Sequence, residues 1–279
     1  MSQATSHRGI LEGTPLYVED TGGDGRPVVL IHGWPLSGAS WQEQFRPLEE
    51  AGHRVVVYDR RGFGRSDKPQ DGYDYDRLAD DLHDVLERLD VRDATLVGFS
   101  MGGGEVARYV ARHGEDRIRG VVFAAAVPPY LMKTDDNPDG PLTEEAAAEL
   151  EQHLRADRDA FFDEFLTGFF SAGEELQVTE AQRQDALALT AQAGDTAALQ
   201  CMRAWATTDF RRDLEAITVP ALVLHGDGDG TVPLEGSGQR THDALPDSRL
   251  HVIAGGPHGI NTSHAAEFNT ALLEFLAEA

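Results

Sequence analysis

One ten-residue stretch limits what this chain can become: Thr95-Leu96-Val97-Gly98-Phe99-Ser100-Met101-Gly102-Gly103-Gly104. Ala94 to Val97 is a short apolar run of the kind that makes a buried strand, and a helical pattern follows from Met101 to His113. Between them, Gly98-x-Ser100-x-Gly102 predicts a strand–turn–helix that lifts one serine onto a sharp turn. Residues carrying a Cβ would collide where strand and helix meet so tightly, so glycine flanks the serine. The turn exposes the Ser100 hydroxyl beside a helix N-terminus, where backbone N–H groups and the dipole favour developing negative charge. A serine in an ordinary glycine-rich loop would have neither the strand before it nor the helix after it.

The rest of the chain alternates in the same rhythm. Residues 8 to 19 read as two short strands around a turn at Glu12 to Pro15. Pro27 to Ile31 is a continuous apolar run, as expected of a strand buried on both faces, and it ends in His32-Gly33-Trp34-Pro35. A helix over 41–51 and a strand from Arg54 to Tyr58 follow, then a helix from Asp76 to Leu89. Ile118 to Ala124 is a further strand. From Pro128 to about Leu214 no strand is expected, and the segment reads as helical and acidic. The alternation returns with Val219 to Leu224, a helix near Gly238 to Leu245, a last strand from Arg249 to Ile253 and a helix over His264 to Ala277. The expected fold is therefore α/β, a mostly parallel sheet with helices on both faces. Its core is 1–127 and 215–279; the insertion at 128–214 is too long for a crossover loop and should form a helical cap over the C-terminal strand ends. Open α/β sheets bind ligands at that edge.

Composition excludes several classes. A net charge of −24 argues against nucleic acid or an anionic membrane surface, because phosphate binding needs clustered Lys and Arg. That charge reads as a solvated acidic face or as adaptation to high salt. Cys201 is the only cysteine, so no internal disulfide can form and a reducing interior is favoured. No apolar run reaches membrane-spanning length, and Met1 to Arg8 lacks the apolar segment of a secretory signal, so a soluble cytoplasmic protein is expected. Metal ligation has little support: histidines are not paired at ligand spacing, and Asp227 and Asp229 lack the other positions of a calcium loop. No phosphate loop or dinucleotide fingerprint occurs.

A serine hydroxyl needs a base of near-neutral pKa, itself oriented by a carboxylate. Both candidates stand at later strand ends. His225-Gly226-Asp227-Gly228-Asp229-Gly230 follows one strand, and Ala254-Gly255-Gly256-Pro257-His258-Gly259 follows the last. The chain order is thus serine, acid, histidine. Of 11 histidines, His258 stands out for its place in a glycine-rich loop just past the final strand. Asp229 is assigned the orienting role, with Asp227 fixing the turn through nearby backbone N–H groups. The oxyanion donors are expected to be the N–H groups of Met101 and Trp34. His32 is expected to brace its loop. Pro35 carries no N–H and biases Trp34 toward an extended ψ. That either turns the Trp34 carbonyl into the site as an acceptor or simply stiffens the loop.

Phe99-Ser100-Met101-Gly102-Gly103-Gly104-Glu105, Ile31-His32-Gly33-Trp34-Pro35-Leu36, Tyr58-Asp59-Arg60-Arg61-Gly62-Phe63-Gly64-Arg65-Ser66 and Pro257-His258-Gly259 resemble the α/β-hydrolase superfamily. Within it the chain is most similar to cofactor-free bacterial haloperoxidases (non-haem chloroperoxidases) and aryl esterases, from about residue 8 to 276. The resemblance implies ester hydrolysis through an acyl-enzyme and, with hydrogen peroxide, perhydrolysis to a peracid that oxidises halide. It implies no cofactor, and a homo-oligomer whose stoichiometry the sequence does not give. A proline after the oxyanion tryptophan is similar to the more perhydrolytic members. The Asp227-Gly228-Asp229-Gly230 run departs from the pattern, and the cap matches less closely. His-Gly-x-Pro at 32–35 also resembles epoxide hydrolases and haloalkane dehalogenases, but those use an aspartate where this chain has Ser100.

In the cap, Phe161, Phe165 and Phe169 recur every four residues and form a stripe on one helical face. They either pack the cap on the core or, as aligned family positions imply, form an apolar acyl or aryl pocket wall, with Phe161 assigned to the core. Phe99, Pro35 and Tyr130 are the remaining pocket candidates. Rival readings are a lactamase, amidase or C–C bond hydrolase using the same three residues, and a non-catalytic ligand receptor on the same fold.

Overall fold

The computed structural model describes residues 6–13 and 15–278. Residues 1–5, on which most of the N-terminal reading rests, and Thr14 in the expected Glu12–Pro15 turn lie outside the described residues. The chain opens with β1 (His7–Ile10), β2 (Tyr17–Asp20), β3 (Pro27–Ile31), α1 (Gln42–Glu50) and β4 (Arg54–Tyr58). Next come α2 (Tyr75–Arg88), β5 (Ala94–Phe99), α3 (Met101–His113) and β6 (Ile118–Ala124). The inserted segment carries α4 (Glu144–Ala156), α5 (Arg158–Phe169), β7 (Ser171–Ala172), β8 (Glu175–Leu176), α6 (Glu180–Thr190), α7 (Asp195–Thr207) and α8 (Arg211–Leu214). The chain then closes with β9 (Ala221–Gly226), α9 (Gly238–Ala244), β10 (Ser248–Ile253), α10 (Ile260–Ser263) and α11 (Ala265–Glu278).

Among the described residues, eight strands form one sheet in the order β1-β2-β4-β3-β5-β6-β9-β10. Only the β1–β2 and β2–β4 pairs are antiparallel. Every residue of β5 is buried, as a central parallel strand requires. Alternation sorts the apolar residues onto two faces. Val29, Ile31, Val56 and Leu96 pack with Leu78, Leu82 and Val85 of α2 and Val106 of α3. Val28, Leu30, Val55 and Val97 pack with Leu48 of α1 and Phe268, Leu272 and Phe275 of α11. Each such fully buried aliphatic side chain contributes roughly 1.5–3 kcal/mol. Parallel register aligns the strand ends: Ile31 pairs with Gly98, Phe99 with Ala124, and Ile253 with Gly226. The loops that start at His32, Ser100, Asp227 and Ala254 therefore leave the same edge of the sheet.

One expectation for the insertion is corrected. It contains a short hairpin, β7 paired with β8, turning at Gly173, which has a φ of +61°. Two-residue strands are too short to show alternation, so the sequence carries no strand signal there. Ala172 also forms an isolated bridge with Asp229, so this hairpin rests on the acid loop.

Candidate active site

Ser100 sits between β5 and α3 with φ +54° and ψ −118°, a conformation that is costly for any residue with a Cβ. Its neighbours show why the turn is so sharp. A Cβ on Gly98 would strike the Gly102 carbonyl, and one on Gly102 would strike the Ile31 carbonyl. The serine is held up at the start of α3, and Met101, the first helical residue, has an N–H with no acceptor inside the helix.

The Ser100 hydroxyl lies 2.9 Å from His258 Nε2, and His258 Nδ1 lies 2.7 Å from Asp229 Oδ2. A carboxylate can only accept, so Nδ1 carries the proton and Nε2 is left as the acceptor facing Ser100. Asp229 Oδ1 accepts from the Thr231 and Val232 N–H groups at 2.9 and 2.7 Å. Burial alone would raise the Asp229 pKa; the charge on His258 and the hydrogen bonds from His225 and His258 hold it well below the usual carboxylate range. Asp227, expected to fix its own turn, instead accepts from the Gly255 N–H at 2.6 Å, stitching its loop to the histidine loop, while Asp229 takes the local Thr231 and Val232 N–H groups.

His225 is a site residue that sequence reasoning missed. It is fully buried near the end of β9, with Nε2 donating to the Val232 carbonyl at 2.8 Å and lying 3.3 Å from Asp229 Oδ2. The one available signal was its position four residues before the acid, which does not by itself say what it faces.

His32 braces its loop. The Arg60 N–H donates to Nε2 at 2.9 Å, so Nδ1 carries the proton and donates to the Gly33 carbonyl at 2.9 Å. Burial, helped by the nearby Arg60 charge, pushes the His32 pKa well below its ordinary value. Trp34 follows in a buried turn with a cis peptide bond to Pro35, and its indole N–H donates to the Ala198 carbonyl of α7 at 2.9 Å.

A small chamber of about 20 Å³ opens at Ser100, lined by Trp34, Val127, Phe165, Trp205 and the Thr231–Val232 segment. A larger cavity of about 470 Å³ shares Phe165, Trp205 and Thr231 with it and extends to Leu131, Leu142 and Phe161. Phe165 is thus a pocket wall, its ring 5.2 Å from Trp34. The other pocket candidates are corrected. Phe99 and Phe169 line neither cavity; they pack behind the imidazole, with ring centroids 5.3 and 4.8 Å from His258. Tyr130 turns its ring to the Arg211 guanidinium, 5.4 Å away, and its neighbour Leu131 takes the cavity position. Pro35 lies in the buried turn and lines neither cavity. Phe161, assigned to the core, is buried in the main apolar cluster and also lines the larger cavity.

Among the described residues, no group of three or more His, Cys, Asp or Glu side chains is arranged to hold a metal ion. Nor is any described helix long and apolar enough to cross a membrane.

A strained serine after the fifth strand, joined through histidine to an acid on a later strand loop beneath inserted helices, defines a hydrolase class. The family profile described as alpha/beta hydrolase fold matches residues 26–265, and the chain belongs to that enzyme family. It is 43% identical over 272 residues to a non-heme chloroperoxidase of Kitasatospora aureofaciens, covering 95% of this chain and 97% of the relative. It is 38% identical over 273 residues to a bifunctional esterase/perhydrolase of Acinetobacter calcoaceticus, covering 95% and 97%. The crystal structure of a bromoperoxidase from Bacillus anthracis matches with a TM-score of 0.93 and 50% identity, covering 98% of this chain and 100% of that one.

Proposed function

We propose that this chain is a serine carboxylic-ester hydrolase that also performs perhydrolysis when hydrogen peroxide is present. Ser100 Oγ attacks the ester carbonyl while His258 Nε2 takes its proton, and Asp229 stabilises the imidazolium that forms. The N–H groups of Met101 and Trp34 donate to the oxyanion. The tetrahedral intermediate collapses, His258 returns the proton to the departing alcohol, and the acyl group stays on Ser100. Water then attacks to give the acid, or hydrogen peroxide attacks to give a peracid. The peracid passes its terminal OH oxygen, with the proton, to a halide ion, giving hypohalous acid and the carboxylate. These steps draw on no metal and no prosthetic group.

The observation that carries this reading is the Ser100–His258–Asp229 chain of 2.9 and 2.7 Å contacts opening on the small chamber. A chamber of about 20 Å³ admits a group near the size of one or two waters, which suits an acetyl-sized acyl group. The larger cavity suits the alcohol, and residues 128–214 act as the cap that encloses both. The relatives' names, an esterase/perhydrolase and halogenating peroxidases, agree in chemistry. Bromination of monochlorodimedone tests the proposal. It is expected to require peroxide and acetate together and to vanish in Ser100→Ala. Bromination that persists without a carboxylic acid, or in Ser100→Ala, would contradict it.

A further inference from the structure

Two buried charges have no part in the steps above. Glu105 lies on α3 one turn beyond Met101, Arg60 lies two residues past β4, and their side chains are 0 and 1% exposed. Arg60 Nε donates to Glu105 Oε2 at 2.7 Å, and the Tyr58 hydroxyl also donates to Glu105. Burying such a pair is costly, and a well-packed apolar pair often stabilises a fold as well or better. The other contacts of Arg60 suggest what the charges do. Its Nη2 donates to the His32 carbonyl at 2.7 Å, and its backbone N–H donates to His32 Nε2 at 2.9 Å. His32 Nδ1 in turn donates to the Gly33 carbonyl, and Trp34 follows. On the helix side, the Tyr75 hydroxyl donates to the Met101 carbonyl at 3.1 Å.

The proposed oxyanion donors come from two separate elements, Met101 from the start of α3 and Trp34 from the loop after β3. The pairing of Ile31 with Gly98 brings the two elements side by side, and each donor lies three residues beyond that pair. Oxyanion donors act when each stands about 2.7–3.1 Å from one developing charge. We infer that the Arg60–Glu105 pair is a positioning device that sets the spacing of the Met101 and Trp34 N–H groups, by tying the first turns of α3 to His32. The inference rests on the serine esterase reading. The planar guanidinium suits the task, since Nε, Nη2 and the backbone N–H of one residue grip Glu105 and both ends of His32. The depressed pKa of His32 keeps its ring neutral, so Nε2 remains an acceptor for Arg60.

The test uses Arg60→Met/Glu105→Leu, which removes both charges together and strands neither, with Arg60→Lys as the milder variant. Phenylboronic acid serves as the probe, because its serine adduct is tetrahedral and places an oxygen where the oxyanion forms. In the double variant kcat for p-nitrophenyl acetate is expected to fall about 10- to 100-fold, less than the roughly 100- to 1,000-fold of deleting an oxyanion donor because both N–H groups remain, with KM within about twofold. Boronate affinity should fall by the same factor, while the acid limb of the pH profile stays in place because His258 and Asp229 are untouched. Arg60→Lys should move kcat and boronate affinity the same way by a smaller factor, and it reports even if the double variant fails to fold. Unchanged boronate affinity alongside a reduced kcat would overturn the inference, as would a change in thermal stability alone. Wild-type turnover that survives Ser100→Ala would instead strike the underlying esterase reading.

Discussion

The Phe169 carbonyl accepts a hydrogen bond from the Gly259 N–H at 2.9 Å, one residue past His258. Three residues further along the cap, Ala172 bridges Asp229. The end of α5 and the hairpin after it therefore touch both the His258 loop and the Asp229 loop. A Cβ on Gly259 would drive into the Phe169 and Phe170 rings. Gly259→Ala is expected to shift the histidine loop and lower kcat for p-nitrophenyl acetate by about tenfold or more, with KM little changed. Steady-state kinetics on the folded variant check this.

His225 adds a second imidazole beside Asp229 Oδ2, at 3.3 Å, and holds the Val232 carbonyl, and Val232 also lines the chamber at Ser100. Without that imidazole Asp229 becomes more basic and stabilises the His258 imidazolium more strongly. His225→Phe should therefore move the acid limb of kcat/KM upward by about half a unit to one unit. His225→Gln, which keeps an N–H, should restore most of the wild-type profile. Equal profiles for the two variants would remove His225 from the site.

Asp229 also leaves a mark on stability. Its folded pKa lies below the unfolded value, so the folded state binds fewer protons once the pH enters the carboxylate range. The contribution is complete above about pH 4 and is lost as the pH falls toward the depressed folded value. Urea unfolding between about pH 5 and pH 2.5 should thus show a steeper loss of stability in wild type than in Asp229→Asn.

Phe165 walls both cavities, so truncating it joins chamber and vestibule. Phe165→Ala is expected to raise kcat/KM for p-nitrophenyl hexanoate relative to the acetate by about tenfold, the scale set by one or two methylenes in an apolar pocket. An unchanged ratio would place the acyl group elsewhere.

How far the sequence reaches differs from residue to residue. Ser100 was legible because the strand, turn and helix that lift it are local and leave a local pattern. His258 and Asp229 followed from strand ends in chain order, since parallel strands carry their exits to one edge. The aromatic stripe of α5 was legible as a face but not in its roll. Residues four apart turn about 40° around a helix, so Phe161 and Phe169 differ by about 80°. That is enough to set one in the cavity and the other against His258. His225 and the Arg60–Glu105 pair stayed hidden because their meaning lies in long-range contacts that no spacing encodes.

Turnover of p-nitrophenyl acetate by wild type and by folded Ser100→Ala, followed with the intact mass of the quenched enzyme, is the most direct measurement. Wild type is expected to turn over and to carry an added acetyl mass on the peptide containing Ser100, while Ser100→Ala shows neither. Equal turnover in the two proteins, or an acyl group trapped on another residue, would contradict Ser100 as the nucleophile.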